Sequence, residues 1–291
     1  MLLYLTKLHI MMCDNIESIP DNGFGFLPLF CLTYLVIECC NNLKSFPYVH
    51  FPSLASLEEV VIKDCPSIDY SFPCGLWPPN LRKLTIGCLN KPMSEWGIQN
   101  FSSSLVELDL FGMNSGVVSF AEAEDVRNTT SSSFLPPPSL TSLQIQGFED
   151  LKSVSKCLQH LLSLEQLWIL SCPKLRDLPQ KLLPSLSYLG LGACQKLGKR
   201  CRSGTGKYWP FISQIPRLWF VDGRAAQPRI SSSTIHQENE KPTETVGEGE
   251  TATGEGKTTA GEEGKNCRTP LLHTAAVVDR EETGATGKVR Y

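Results

Sequence analysis

Residues 164–172 read LEQLWILSC, and this nine-residue pattern, LxxLxIxxC, recurs through most of the chain. Other copies that keep the final cysteine are LTKLHIMMC from Leu5, LTYLVIECC from Leu32, LEEVVIKDC from Leu57 and LSYLGLGAC from Leu186. Weaker copies begin at Leu81, Leu105, Leu140 and Ile215. Successive copies begin 27, 25, 24, 24, 35, 24, 22 and 29 residues apart. A unit this short cannot bury its own apolar face, so the pattern predicts a solenoid whose stacked copies share one core.

The spacing of the apolar residues indicates a short strand in each copy. The first, fourth and sixth positions point inward, and the positions between them alternate outward, as the period of two in a strand requires. A period of about 20–29 residues with this leucine pattern is typical of leucine-rich repeats. We therefore predict an α/β leucine-rich-repeat solenoid of about nine repeats. A curved parallel sheet forms its concave face, and loops and short helical turns form its convex face.

The ninth position holds a small side chain that can form hydrogen bonds, so we expect it to satisfy backbone groups at the turn after each strand. The residues concerned are Cys13, Cys40, Cys65, Cys172 and Cys194. Neighbouring cysteines would lie about one strand spacing apart, which leaves oxidation of some pairs open. We favour reduced, buried thiols that fill the core. Paired His and Cys spacings typical of zinc sites are absent from the sequence, so no metal is predicted.

Composition divides the chain into two domains. Residues 1–223 carry the repeats, and the anomalous 35-residue spacing places an inserted, exposed loop at 114–139. Residues 224–291 are rich in Gly, Glu and Thr, which predicts a disordered tail. Residues 225–291 have 11 acidic and 8 basic side chains, which leaves 19 of each sign among the first 224 residues. A neutral solenoid argues against a nucleic-acid partner. Apolar runs of about 18 residues are also absent, so the sequence predicts no membrane span.

Motifs for catalysis or cofactor binding are missing from the sequence. The segment GEGKT at Gly254–Thr258 imitates the end of a phosphate-binding loop, but Thr251 stands where the motif needs a glycine. The five histidines are scattered, and no Ser/His/Asp or Cys/His grouping emerges. We therefore expect a protein that is not an enzyme and that binds no cofactor.

Outward strand positions are the candidate recognition surface, because a parallel sheet presents them as columns. Glu59, Lys83 and Glu107 alternate in sign on consecutive strands, which favours cross-strand charge pairing. Large apolar groups on the same face indicate a contact site instead, unless the tail or the closing repeat covers them. The predicted partner-binding residues are Tyr34, Glu38, Lys63, Lys83, Phe111, Trp168, Leu170, Tyr188 and Trp219.

The closing segment CQKLGKRCRSGTGKYWPFISQIPRLWFVDG, together with the cysteine-containing repeats, resembles a known family. It is similar to the leucine-rich-repeat domain of plant intracellular nucleotide-binding disease resistance proteins of the coiled-coil type. The matching residues are Cys194, Cys201, Gly206, Trp209, Ile212, Ile215 and Pro216.

The resemblance implies a cytoplasmic protein-recognition module of plant defence. Its partner would be a pathogen effector, a guarded host protein or the receptor's own nucleotide-binding domain. No such switch domain is encoded here, so we expect a C-terminal fragment. The alternative is a cytoplasmic repeat adaptor, such as the substrate-recognition arm of a ubiquitin ligase.

Overall fold

The computed structural model describes residues 5–19, 29–45, 48–68, 77–90, 93–96, 101, 103–121, 131–133, 136–180 and 182–221. Within them, nine strands form one parallel sheet in chain order. These strands are β1 (Lys7–Met11), β2 (Tyr34–Glu38), β3 (Glu59–Lys63), β4 (Lys83–Gly87), β5 (Glu107–Phe111), β8 (Ser142–Gln146), β9 (Gln166–Leu170), β10 (Tyr188–Gly192) and β11 (Arg217–Val221). Two short strands, β6 (Ser119–Ala121) and β7 (Ser131–Ser133), pair separately.

Neighbouring strands pair at equivalent positions of the repeat. Leu143 lies opposite Leu167, and Leu167 in turn lies opposite Leu189. The fourth- and sixth-position side chains of the seven interior strands are all buried, at 0–3% exposure, and form one continuous core. The predicted parallel-sheet solenoid and its inward register are therefore confirmed.

Cysteines at the ninth position form a second ladder beneath the turns. Cys172 donates its thiol hydrogen to Leu170 O of its own strand and to Ile145 O of the preceding one. Cys194 repeats this arrangement with Gly192 O and Ile169 O, one strand further along. Cys40 and Cys65 also donate to both strands. All ten described cysteines are free thiols, as predicted for those positions.

Burial keeps these thiols in the protonated form that donates hydrogen bonds. It raises the pKa of Cys65 to about 12. Contact with the Cys194 thiol, together with burial, raises the pKa of Cys172 well above its usual value. The residue just before the cysteine adopts a left-handed conformation, as at Cys39, Asp64 and Ser171 with φ of 55°, 56° and 52°. This conformation turns the chain out of the strand at the same point in successive repeats.

Helical segments of the described chain are short and connect the strands. Three are α-helical: α1 (Ser155–Leu158), α2 (Gln195–Arg200) and α3 (Trp209–Ile212). Four are 3₁₀ turns: Leu29–Cys31, Tyr48–Ser53, Met93–Glu95 and Leu183–Ser185. Among the described helices, none has the length and apolar content needed to cross a bilayer.

The part of the closing segment that precedes β11 packs against the core. Tyr208 is buried, and its hydroxyl accepts a hydrogen bond from Leu178 N at 3.2 Å. A Cβ at Gly206 would lie 2.4 Å from Arg200 O, so the turn between α2 and α3 tolerates only glycine there. Cys194, Cys201, Ile212 and Ile215 of the family-like closing motif are buried, so they act in packing.

The expected exposed loop at 114–139 needs correction over its first residues. Val117 and Phe120 are buried, and the Phe120 ring meets Phe148 edge-on at 5.4 Å. Ser119 also forms a parallel bridge with Ser153 of the next repeat. Apolar side chains at 117 and 120 therefore bring this stretch into the core layer. Residues 122–130 and the predicted tail at 224–291 lie outside the described residues.

Candidate functional site

The open face of the sheet, opposite the core, carries three rows of side chains in strand order. The first row is Lys7, Tyr34, Glu59, Lys83, Glu107, Ser142, Gln166, Tyr188 and Arg217. The middle row is His9, Val36, Val61, Thr85, Asp109, Gln144, Trp168, Gly190 and Trp219. The third row is Met11, Glu38, Lys63, Gly87, Phe111, Gln146, Leu170, Gly192 and Val221.

Charges dominate the half of this face formed by β2 to β5, and most of them pair with one another. Lys83 Nζ lies 3.3 Å from Glu59 and 3.8 Å from Glu107 across adjacent strands. Partial burial alone would lower the pKa of Lys83, but the Glu59 and Glu107 carboxylates outweigh it and raise that pKa. The expected cross-strand charge pairing is therefore present.

A second ion pair in this half, between Lys63 and Glu38, lies next to a glycine of β4. Lys63 Nζ lies 2.7 Å from Glu38, 3.6 Å from Asp64 and 5.1 Å from the centre of the Phe111 ring. Gly87 separates Lys63 from Phe111 in the third row, and a Cβ there would meet Phe111 O at 2.1 Å. The missing side chain thus brings the ammonium and the ring together.

The same cluster contains three potential metal ligands but is poorly suited to a cation. Donor atoms of Glu38, Cys39 and Asp64 lie within 4.8 Å of one another. The Lys63 ammonium already forms ion pairs with both carboxylates. Burial and the Asp64 and Glu38 carboxylates raise the pKa of Cys39, which opposes formation of the thiolate that a metal would need. We assign the cluster to ion pairing.

One partly buried carboxylate lies in the middle row of this half. Asp109 Oδ2 accepts a hydrogen bond from Thr85 Oγ1 at 3.1 Å. Burial raises the pKa of Asp109, and the Thr85 hydrogen bond and Lys83 only partly offset this effect. The open face therefore holds a carboxylate whose charge costs free energy on folding.

The other half of the face carries an aromatic cluster, formed by Trp168, Tyr188 and Trp219. The centres of the Trp168 and Tyr188 rings lie 4.2 Å apart, and their planes are inclined by 30°. Trp219 lies 5.7 Å from Trp168, although a strand separates them. All three side chains remain partly exposed. Partial burial also raises the pKa of the Tyr188 hydroxyl to about 12, so this group stays neutral.

Two glycines of β10 make the aromatic cluster possible. Gly190 lies between Trp168 and Trp219 in the middle row, and a Cβ there would approach Trp168 Cε3 to 2.4 Å. At Gly192 a Cβ would lie 3.0 Å from Leu170 Cδ2 and 3.2 Å from Trp219 Cζ3. The indoles therefore occupy the space that two side chains would otherwise fill.

The nine predicted partner-binding residues do not form one site. Trp168, Leu170, Tyr188 and Trp219 lie together on β9 to β11, and Glu38, Lys63 and Phe111 form the separate cluster over Gly87. Lys83 belongs to the neighbouring charge row. Tyr34 lies five strands from Trp168 in the sheet, and its ring packs edge-on against His9 at 5.1 Å.

Sequence reasoning missed the part that glycines play on this face. The available signal was LGLG at residues 189–192, which places glycine at two successive outward positions between two tryptophan-bearing strands. It also passed over Arg217, an exposed cation that lies opposite Tyr188 in the first row.

Comparison with known proteins gives one short similarity. No protein-family model matches the chain. Over 67 residues, 23% of this chain, the sequence is 36% identical to an Arabidopsis thaliana protein whose name describes it as a disease resistance protein. The matched stretch covers 4% of that protein, so the similarity concerns a small part of its length.

Proposed function

We propose that this chain is a protein-recognition module of plant defence, built as a leucine-rich-repeat solenoid of the type found in nucleotide-binding disease resistance proteins. It works in the cytoplasm, without catalytic chemistry or a cofactor. Its partner is a pathogen effector, a guarded host protein or the nucleotide-binding domain of a receptor. The repeat pattern, the parallel solenoid and the short similarity to a disease resistance protein support this assignment.

The observation that carries the proposal is the partly exposed aromatic cluster on the open face. Tryptophan and tyrosine are the residues on which binding energy concentrates at protein interfaces, because they bury a large area for little conformational entropy. On the other half of the face, Glu38, Lys63, Glu59, Lys83 and Glu107 already form ion pairs with one another. Recognition is therefore centred on β9 to β11.

The test separates recognition from folding by comparing neighbours on one strand. Trp168→Ala should reduce stability by only about 1 kcal/mol, because the side chain is partly exposed. Leu167→Ala should cost about 2–5 kcal/mol, because Leu167 is completely buried and its loss leaves a cavity. Chemical denaturation of the two variants measures this difference. Equal losses would place Trp168 in the core and remove it from the proposed site.

Binding is then measured by affinity capture from plant extract with quantitative mass spectrometry. Proteins retained by the native chain should be lost with the double variant Trp168→Ala, Tyr188→Ala. They should be kept by Lys44→Gln, which breaks an exposed ion pair with Glu17 away from the open face. A captured set that is identical for all three proteins would contradict recognition through the aromatic cluster.

A further inference from the structure

Charge on the open face is distributed unequally between its two halves. In the β2 to β5 half, Glu38, Lys63 and Lys83 lie within ion-pair distance of an opposite charge. On β11, by contrast, Arg217 is exposed and takes part in no ion pair within the described part of the chain. A cation without an ion pair among the described residues thus lies beside the aromatic cluster.

Arg217 lies next to the aromatic cluster in the first row. Its Cα is the register partner of Tyr188, and its positive charge acts on the Tyr188 hydroxyl. On the other side of Tyr188 lies the exposed amide of Gln166. An apolar surface is therefore bordered on one edge by a free cation and by a side chain that can bind a peptide backbone.

Ring geometry limits which ligands this surface can accept. The Trp168 and Tyr188 rings lie 4.2 Å apart with a modest inclination, so they cover each other's faces. A cage for an organic cation needs open ring faces, and Arg217 would repel such a ligand. A nucleic-acid backbone requires a row of cations, whereas the first row on β8 to β11 supplies Arg217 alone.

We propose that the aromatic cluster binds a peptide segment of its protein partner in which a bulky apolar side chain is flanked by a carboxylate. The apolar side chain packs against Trp168 and Trp219, and the carboxylate forms a bidentate ion pair with Arg217. Gln166 binds the backbone of the segment. This inference rests on the proposed recognition function and specifies the chemistry of its partner.

The experiment is a selection from a random dodecapeptide display library on the immobilised full chain. Peptides that also bind the double variant Trp168→Ala, Tyr188→Ala are removed in a counter-selection. The remaining peptides should be enriched in Asp or Glu next to Leu, Phe or Trp. A synthetic peptide from this set should bind about tenfold more weakly to Arg217→Gln, and no more weakly to Lys7→Gln, a cation in the same row at the far end.

The possible outcomes of the selection distinguish failure of this inference from failure of the proposed recognition function. Peptides that depend on Trp168 but show no acidic bias and no loss with Arg217→Gln would overturn this inference while leaving the recognition function intact. A selection that yields no Trp168-dependent peptide would contradict both. A native chain that sediments as a dimer, with Trp168→Ala as a monomer, would assign the surface to a second copy and overturn the inference.

Discussion

At the scale of single residues, side chains that are absent shape the open face as much as those that are present. Gly190 lets Trp168 approach Trp219 across β10, and Gly87 lets Phe111 approach Lys63 across β4. In both cases the strand between the interacting groups has glycine at the outward position. Both clusters therefore depend on a glycine in the intervening strand, although one cluster is aromatic and the other is ionic.

Gly190→Ala should dismantle the aromatic cluster while leaving the solenoid folded. The new Cβ would lie 2.4 Å from Trp168, so the indole must rotate away from Trp219. Gly192→Ala is the milder comparison, because its Cβ would lie 3.0 Å from Leu170 Cδ2 and 3.2 Å from Trp219 Cζ3, so each neighbour need move by only a few tenths of an ångström. Near-UV circular dichroism should change more for Gly190→Ala than for Gly192→Ala, with far-UV spectra unchanged for both. Equal near-UV changes would show that Gly190 has no special part in the cluster.

Substituting serine for the cysteines of the ladder should reduce stability by different amounts at different positions. Cys172→Ser should cost about 1–3 kcal/mol, since the shorter side chain reaches two carbonyls poorly and leaves a small void in the core. Cys13→Ser should cost less, because Cys13 donates to Met11 O alone among the described groups and is partly exposed. Urea denaturation measures both losses. Similar losses would indicate that the second carbonyl contributes nothing.

At the scale of the strand, the sequence predicts which side chains point inward but not which outward side chains contact one another. Position within LxxLxIxxC correctly places Leu167 in the core and Trp168 on the open face, because a strand alternates its faces. Whether Trp168 reaches Trp219 depends on the residue between them on β10, which the pattern of either strand alone does not contain. The sequence therefore predicted the aromatic residues of the site but not the glycine between them that allows their contact.

Irregular segments explain the other failure of prediction. Residues 117–120 read as part of an insertion because the repeat spacing is too long there. Val117 and Phe120 nevertheless return to the core, where Phe120 packs against Phe148. Spacing measures how many residues separate two strands. It does not reveal which of those residues supply the apolar contacts that close the layer.

Across β4 and β5, removal of the partly buried carboxylate of Asp109 should raise stability in a pH-dependent way. Burial raises the folded-state pKa above its usual 3.8, so the protonated form is favoured in the fold. The stabilising contribution of this group is complete below about pH 3.8 and is lost as the pH rises through the raised folded-state pKa. Asp109→Asn should therefore raise the melting temperature at pH 7, and the gain should shrink as the pH falls towards 4.

The control for this prediction is Glu107→Gln, which removes an exposed carboxylate from the same strand. It should not raise the melting temperature at pH 7, because Glu107 is exposed and its removal breaks the contact with Lys83. Melting temperatures of the native chain, Asp109→Asn and Glu107→Gln between pH 4 and pH 8 test this prediction. A lower melting temperature for Asp109→Asn at pH 7 would mean that the ionised carboxylate stabilises the fold through its neighbours.

At the scale of the whole molecule, stability depends on how many neighbours each repeat has. An interior strand has a strand on both sides, and its inward side chains are 0–3% exposed. β1 has a partner on one side within the described sheet, and its inward residues Leu8 and Ile10 are only partly buried. In a solenoid each repeat contacts only the adjacent repeats, so its stability is the sum of local and nearest-neighbour contributions.

Equivalent substitutions at the edge and in the interior should therefore have unequal effects. Ile145→Ala should lower the free energy of unfolding by about 2–5 kcal/mol, because Ile145 is 0% exposed and is surrounded by core residues on β8. Ile10 lies at the same repeat position on β1. Ile10→Ala should lower the free energy of unfolding by about 1 kcal/mol, because solvent already reaches that side chain. Urea denaturation gives the two values, and amide exchange shows whether β1 opens while β8 stays protected. If both substitutions cost the same, the inward face of β1 is covered in solution and the edge repeat is as well supported as the interior.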